Sequence, residues 1–364
     1  MKLRCLALWK CQAPERKQKM KLYNLGHVPW LDSQLIYHAL PRLGQEGLIF
    51  LAPDSPYVCI GYHQDAEQEV DLAYCREQGI PVFRREVGGG AVYLDGNQLF
   101  YQLVIRRDAP HVPAEKGAFY RRFLEPVAQT YRQIGIEATY RPVNDIITSE
   151  GRKISGTGAA EIGDFLVLVG NLIMDFDYEA MARVLRVPDE KFRDKVHKSL
   201  RENLSTIRRE LGQVPSWEEL TGKLAANFQT VLGPLEPGEL GPEVAEKVKE
   251  LEELLMSEEW LHARSRRRSE RVVKVATGVQ IVSRMHKAPG GLIRTTFEVK
   301  EGKLASLSLS GDFFFYPAEK LNDLEEALAG VALEKVEKAI AEFYQAHGIE
   351  SPGVSPADFA HAIK

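Results

Sequence analysis

Cysteine is scarce: the 364-residue chain has four, and none follows Cys75. That does not make a disulfide framework in a chain this long. The nine histidines form no His-x₃-His, HExxH or mixed Cys/His cluster, so no zinc centre is expected. No run approaches the roughly 20 apolar residues that span a bilayer. A net charge of −4 offers no overall attraction to nucleic acid or to an anionic membrane. The arginine-rich run at 264–271 has no interleaved aromatic residues and reads as a solvated linker. Internal repeats and low-complexity tracts are absent. The basic amino-terminal stretch carries one apolar patch, Leu6 to Trp9, too short for a signal-peptide core. Residues 1–18 therefore read as a disordered extension, and the expected location is the cytoplasm.

What is present is an ordinary globular composition, 44% hydrophobic and 27% charged. The length exceeds one usual domain, so two are expected, at 19–258 and 259–364. Residues 31–44 have helical spacing, with Leu31, Leu35, Ile36 and Leu40 on one face. GLIFLAP and YVCIGY are short apolar runs around a Pro/Ser turn, which suits two strands of one sheet. Residues 65–78 read as one amphipathic helix ended by Gly79 and Pro81. Pro81–Arg85, Ala91–Leu94, Leu99–Ile105 and Phe165–Asp175 read as strands, and 116–135 as a helix. Residues 178–250 are mostly helical, with the Pro/Gly-dense stretch 234–242 a candidate hinge. Val272–Met285, Leu292–Val299 and Leu304–Leu309 read as strands of the second domain, followed by two helices.

Two glycine-rich basic segments lie about sixty residues apart. The first is Arg84-Arg85-Glu86-Val87-Gly88-Gly89-Gly90-Ala91-Val92-Tyr93. The second is Asn144-Asp145, then Gly151-Arg152-Lys153-Ile154-Ser155-Gly156. Three glycines leave backbone N–H groups open to close approach by a ligand. The first segment runs from strand to strand and opens no helix, which excludes a Walker loop and a Rossmann fingerprint. Three glycines between strands are most often only a tight turn; the Arg pair and the second turn favour an anion site. An ammonium at Lys153, set between a carboxylate and an α-phosphate, would hold both anions and stabilise charge that develops on phosphorus oxygens. Asn144-Asp145 is either a turn dipeptide or, through Asp145, a ligand to a Mg²⁺ that bridges phosphate oxygens.

RREVGGGAVYLDGNQLFYQLVI, NDI…GRKISGTG and GNLIMDFD, in that order and spacing, resemble the lipoate–protein ligase family of the biotin/lipoate protein ligase fold, over residues 20–210. Lys195, Lys198-Ser199-Leu200-Arg201 and Leu204-Ser205 are similar to that family's basic stretch after the core sheet. Residues 260–330, with Gly311-Asp312-Phe313-Phe314, resemble the accessory domain of bacterial ligases.

The resemblance implies an α/β protein, with a mixed-sheet catalytic domain and a small α+β accessory domain. It implies ATP-dependent activation of lipoate to lipoyl-AMP, then amide formation with a lysine of an apo lipoyl-domain protein. Such acceptors are 2-oxoacid dehydrogenase E2 subunits or a glycine-cleavage H-type protein. Matched residue by residue, Arg85 and Gly90, Ala91, Val92 and Tyr93 fall on the nucleotide segment. Gly88, Gly89 and Gly156 fall on the lipoate site, and Lys153 contacts both. Arg84 and Asn144 are supporting residues, and ATP and Mg²⁺ accompany lipoate. Related acyltransferases carry the acyl group on a cysteine, in the loop before the Gly-Arg-Lys turn or well beyond it. Residues 141–152 contain none, and Cys59 and Cys75 read as core or neutral positions. An ATP-independent octanoyl or lipoyl transferase and a non-catalytic lipoate-binding protein are the alternatives. Glu86-Val87, Leu94 and Val169 depart from the family's small hydroxyl residues and two histidines, and Glu86 is expected to add negative charge beside ATP.

Overall fold

The computed structural model describes residues 19–265 and 280–364. The predicted 1–18 extension, most of the arginine run and the first part of the Val272–Met285 strand lie outside the described residues.

A six-stranded mixed sheet forms the centre, in the order 157–162, 165–173, 98–106, 47–53, 20–28, 235–237. Its first four strands are antiparallel neighbours, and the last two pairings are parallel. Strand Gln98–Arg106 is buried at every position but the last. Alternation sends Leu99, Tyr101, Leu103 and Ile105 to one core and Phe100 and Val104 to the other. Helices Lys116–Gln133 and Trp217–Leu232 cover the first face, through Phe119, Phe123, Leu224 and Phe228. Helices Asp32–Arg42 and Pro242–Leu255 cover the second. Residues 33–41 are all buried because this helix lies between sheet and second helix.

The runs GLIFLAP and YVCIGY do not share a sheet. Gly47–Pro53 lies in the central sheet, whereas Tyr57–Ile60 is the middle strand of a small one between Val82–Arg84 and Val92–Leu94. The single helix expected at 65–78 is two. Asp65 caps Ala66–Glu69 and Asp71 caps Leu72–Glu77, with extended Val70 between them bridging to Leu185. The Pro/Gly stretch read as a hinge contains Leu235–Pro237, which pairs with Met20–Leu22 and fastens the segment to the sheet edge.

The accessory region is an antiparallel meander, Gln280–Ala288, Gly291–Lys300 and Lys303–Gly311, under helices Lys320–Ala327, Val336–His347 and Pro356–Ile363. It has its own core, with Phe297, Leu307, Leu324, Ile340 and Phe359. The loop after its third strand reaches the catalytic domain. His63 stacks on Phe313 at 5.3 Å. The Tyr316 hydroxyl meets the Ala159 carbonyl at 3.1 Å, and Arg294 pairs with Glu69 at 2.7 Å.

Candidate active site

The first glycine segment leaves strand Val82–Arg84 as a loop and re-enters the sheet at Val92. Its two arginines have separate jobs. Arg84 is 1% exposed. It donates to the carbonyls of Gly61, Tyr62, Trp260 and Leu261, and the Trp260 indole donates back to the Arg84 carbonyl at 2.8 Å. Burial, then the charge of Arg264, pushes its pKa down. Arg84 is a staple within the fold and does not reach the cavity. Arg85 braces the glycine turn from inside: it donates to Gly88 O at 2.8 Å, Gly90 O at 2.9 Å and Cys59 O at 3.2 Å. Gly89 has φ +96°, a backbone conformation that favours glycine, and a Cβ there would press on the tip of the Arg85 side chain at 3.1 Å.

The second wall is the sheet Ala138–Arg141, Asp145–Thr148, Lys153–Ser155. Lys153 Nζ lies 2.7 Å from Asp145 Oδ1, and Arg141 donates to Asp145 Oδ2 at 2.9 Å. Burial raises the Asp145 pKa, but the charges and hydrogen bonds of Lys153 and Arg141 outweigh it, and the net shift is downward. Asn171 holds the following turn: its Oδ1 accepts from Gly156 N at 3.0 Å, and its carbonyl accepts from Ser155 Oγ at 2.6 Å. Asn144 donates to the Thr157 carbonyl.

One cavity lies between the walls. Of the residues predicted from sequence, Arg85, Gly89, Gly90, Val92, Asn144, Lys153 and Gly156 line it. Gly88 lies behind the wall, where a Cβ would meet Phe314 Cδ1 at 2.8 Å. Ala91 and Tyr93 pack into a side cluster with Val58 and Met181. Asp145 is not among the lining residues and pairs with Lys153, which is. Both its oxygens are engaged by cations, and no group of three His, Cys, Asp or Glu side chains is gathered among the described residues.

The cavity also takes in residues that the motifs did not single out. Gln34 and Tyr37 come from the buried helix, and Gln102, Cys59 and Asn171 from strands. Cys59 is the core residue read from sequence, and it also borders the cavity. Burial nevertheless pushes its thiol pKa up, against the opposing charge of Arg85. Gln102 carried a signal, being an amide among the buried residues of the Leu99–Ile105 run. Glu86, expected beside the nucleotide, instead pairs with Arg42 at 2.8 Å and faces the buried His38 ring. Val87 is fully buried, and Leu94 and Val169 add apolar surface to the cavity beside Phe100.

Residues 30–229 match the lipoyl protein ligase A/B catalytic domain. The chain belongs to this family. Residues 281–363 match the bacterial lipoate protein ligase carboxy-terminal domain, so the lipoyl ligase family's two-part architecture is present. Lipoate-protein ligase LplJ of Bacillus subtilis is 28% identical over 308 residues, spanning 84% of this chain and 86% of its own length. Octanoyltransferase LipM of Kyrpidia tusciae is 29% identical over 229 residues, 57% of this chain and 83% of its own. A crystal structure of lipoate-protein ligase A bound with ATP superposes with a TM-score of 0.57 at 26% identity, over 67% of this chain and all but 1% of that one (99%). The family thus includes both ligases and octanoyltransferases. Among the described residues of this lipoyl ligase relative, no helix is long and apolar enough to cross a membrane.

Proposed function

We propose that this protein is an ATP-dependent lipoate–protein ligase, and the observation that carries the reading is Lys153. Its ammonium stands at the cavity between two glycine turns, held by Asp145 at 2.7 Å. There it binds the acid's carboxylate and draws the α-phosphate of ATP beside it. Attack by the carboxylate oxygen expels pyrophosphate and leaves an acyl-adenylate. The acceptor lysine amine then attacks the acyl carbon, and AMP leaves. Neither step uses a covalent enzyme intermediate; positioning and charge suffice. Val92, Leu94, Phe100 and Val169 supply the apolar wall for an acyl chain.

Two observations favour ligation over cysteine-borne transfer. The pocket cysteine, Cys59, is fully buried, bonded to Arg85 and Gln34, and raised in pKa by burial, which suppresses thiolate. The relative named a ligase spans 84% of this chain, accessory region included, whereas the octanoyltransferase spans 57%. The acceptor is an apo lipoyl domain. The test is incubation with lipoate, ATP and Mg²⁺, then with an apo lipoyl domain, read by intact mass. A lipoyl mass increase that requires ATP supports the reading. Modification from octanoyl carrier protein without ATP replaces it with the transferase reading.

A further inference from the structure

Two side-chain amides join the two glycine segments across the central sheet. Gln98 and Asn171 stand on neighbouring antiparallel strands, Gln98 opposite Ile173 and Asn171 opposite Phe100. That register makes them diagonal neighbours on the face that carries Phe100. Gln98 Nε2 donates at 3.2 Å to the carbonyl of Tyr93, on the strand that leaves the first glycine turn. Asn171 Nδ2 donates to Gln98 Oε1 at 2.7 Å. Asn171 Oδ1 accepts at 3.0 Å from the backbone N–H of Gly156, in the second turn.

The chain of bonds runs in one direction only. Tyr93 ends it with a carbonyl, which can only accept, and Gly156 with an N–H, which can only donate. Turning over either amide, or both, sets oxygen against oxygen or N–H against N–H. Gln98 is 1% exposed, and Asn171 borders the cavity. The Lys153 stem lies over Gly156, where a Cβ would stand 3.4 Å from Lys153 Cε and 3.6 Å from Nζ. Asp145 therefore holds the ammonium itself, and Gly156 is the floor beneath it. Asn171 ties that floor to the central sheet, and Gln98 ties Asn171 to the strand of the first turn.

We propose that Asn171 and Gln98 are positioning residues, which fix the Lys153 side chain relative to the first glycine turn so that its ammonium meets both acid and α-phosphate. This rests on the ligase reading above. The test is single-turnover acyl-adenylate formation by the full-length protein with lipoate, ATP and Mg²⁺. Asn171→Ala and Gln98→Met are each expected to slow it by about tenfold or more. Together they are expected to cost no more than about twofold beyond the larger single loss, because they break one chain. In a Lys153→Ala background, Asn171→Ala is expected to cost less than about twofold, whereas a merely structural role would keep its full effect there. Single variants within about twofold of the wild type overturn the proposal, as do additive losses in either double variant. If the variants do not fold, amide hydrogen exchange of the wild type decides. The Asn171 bond predicts Gly156 N–H protected by at least about tenfold, and unprotected exchange there overturns it. No adenylate from the wild type overturns the ligase reading itself, and with it the role given to the two amides.

Discussion

Lys153 and Asp145 form a 2.7 Å ion pair whose second carboxylate oxygen is held by Arg141. The pair fixes the position of the ammonium that the proposed chemistry uses. Lys153→Ala is expected to lower adenylate formation by about 10²–10³-fold in a protein that still folds, the usual loss when one preorganised charge is removed. Near-wild-type pyrophosphate release by a folded variant contradicts the assignment. Asp145→Asn keeps the ammonium but frees it, so a smaller loss is expected, read as kcat against KM for the acid.

The same pair sets an acid limb of stability. The Asp145 pKa is lower in the folded protein than its ordinary value, so the folded state holds the ionised form more strongly than the unfolded one. The stabilisation is present above the ordinary carboxylate range and is lost as pH falls below about 4, through the lowered value. Urea midpoints between pH 7 and pH 3 should therefore fall less steeply for Asp145→Asn than for the wild type. Equal slopes contradict the pairing.

The neighbouring arginines should separate cleanly. Arg84→Met strips partners from the carbonyls of Gly61, Tyr62 and Leu261 and should cost about 3 kcal/mol or more, at roughly 1 kcal/mol or more for each buried acceptor left unsatisfied. Any surviving folded protein should bind ATP normally. Arg85→Met strips the carbonyls of Cys59, Gly88 and Gly90 and should cost stability on the same scale, but because Arg85 lines the cavity it should also weaken ATP binding in whatever folds. Urea melts beside calorimetric ATP titrations distinguish them.

That division was not legible in the sequence, where Arg84 and Arg85 are two adjacent cations. Their partners come from residues 59–62, 88–90 and 260–261, and only the fold brings these together. What was legible was local. The triple glycine between strands, the strand at 165–173 and the helix at 116–133 follow from period and turn chemistry, and the order of motifs pointed to the family. Long-range pairing was hidden. Glu86 meets Arg42, 44 positions away, and the Pro/Gly stretch read as a hinge is tied to Met20–Leu22. Cys59 resembled a core residue because its strand is apolar, yet it borders the cavity.

Glu86 carries a prediction of its own. Burial holds the facing His38 ring below its ordinary pKa, and Arg42 is the cation that Glu86 serves. Glu86→Gln should cost about 1 kcal/mol of stability as a partly buried pair is lost, with KM for ATP changed by less than about twofold. A large fall in that KM would place Glu86 against the nucleotide after all.

Cys59→Ala tests the reaction class. The buried thiol has no role in acyl-adenylate chemistry, so the variant should retain transfer to a lipoyl domain within about fivefold. Complete loss of transfer by a folded Cys59→Ala protein, with an acylated Cys59 found by mass spectrometry of the wild type, contradicts direct ligation.

The central claim is most directly tested by pyrophosphate release from ATP, measured with and without lipoate and before any acceptor is added. The account predicts release that depends on lipoate, leaves a bound acyl-adenylate and falls by about 10²–10³-fold in Lys153→Ala. Absence of lipoate-dependent release, together with acyl transfer from a carrier protein in the absence of ATP, would contradict it.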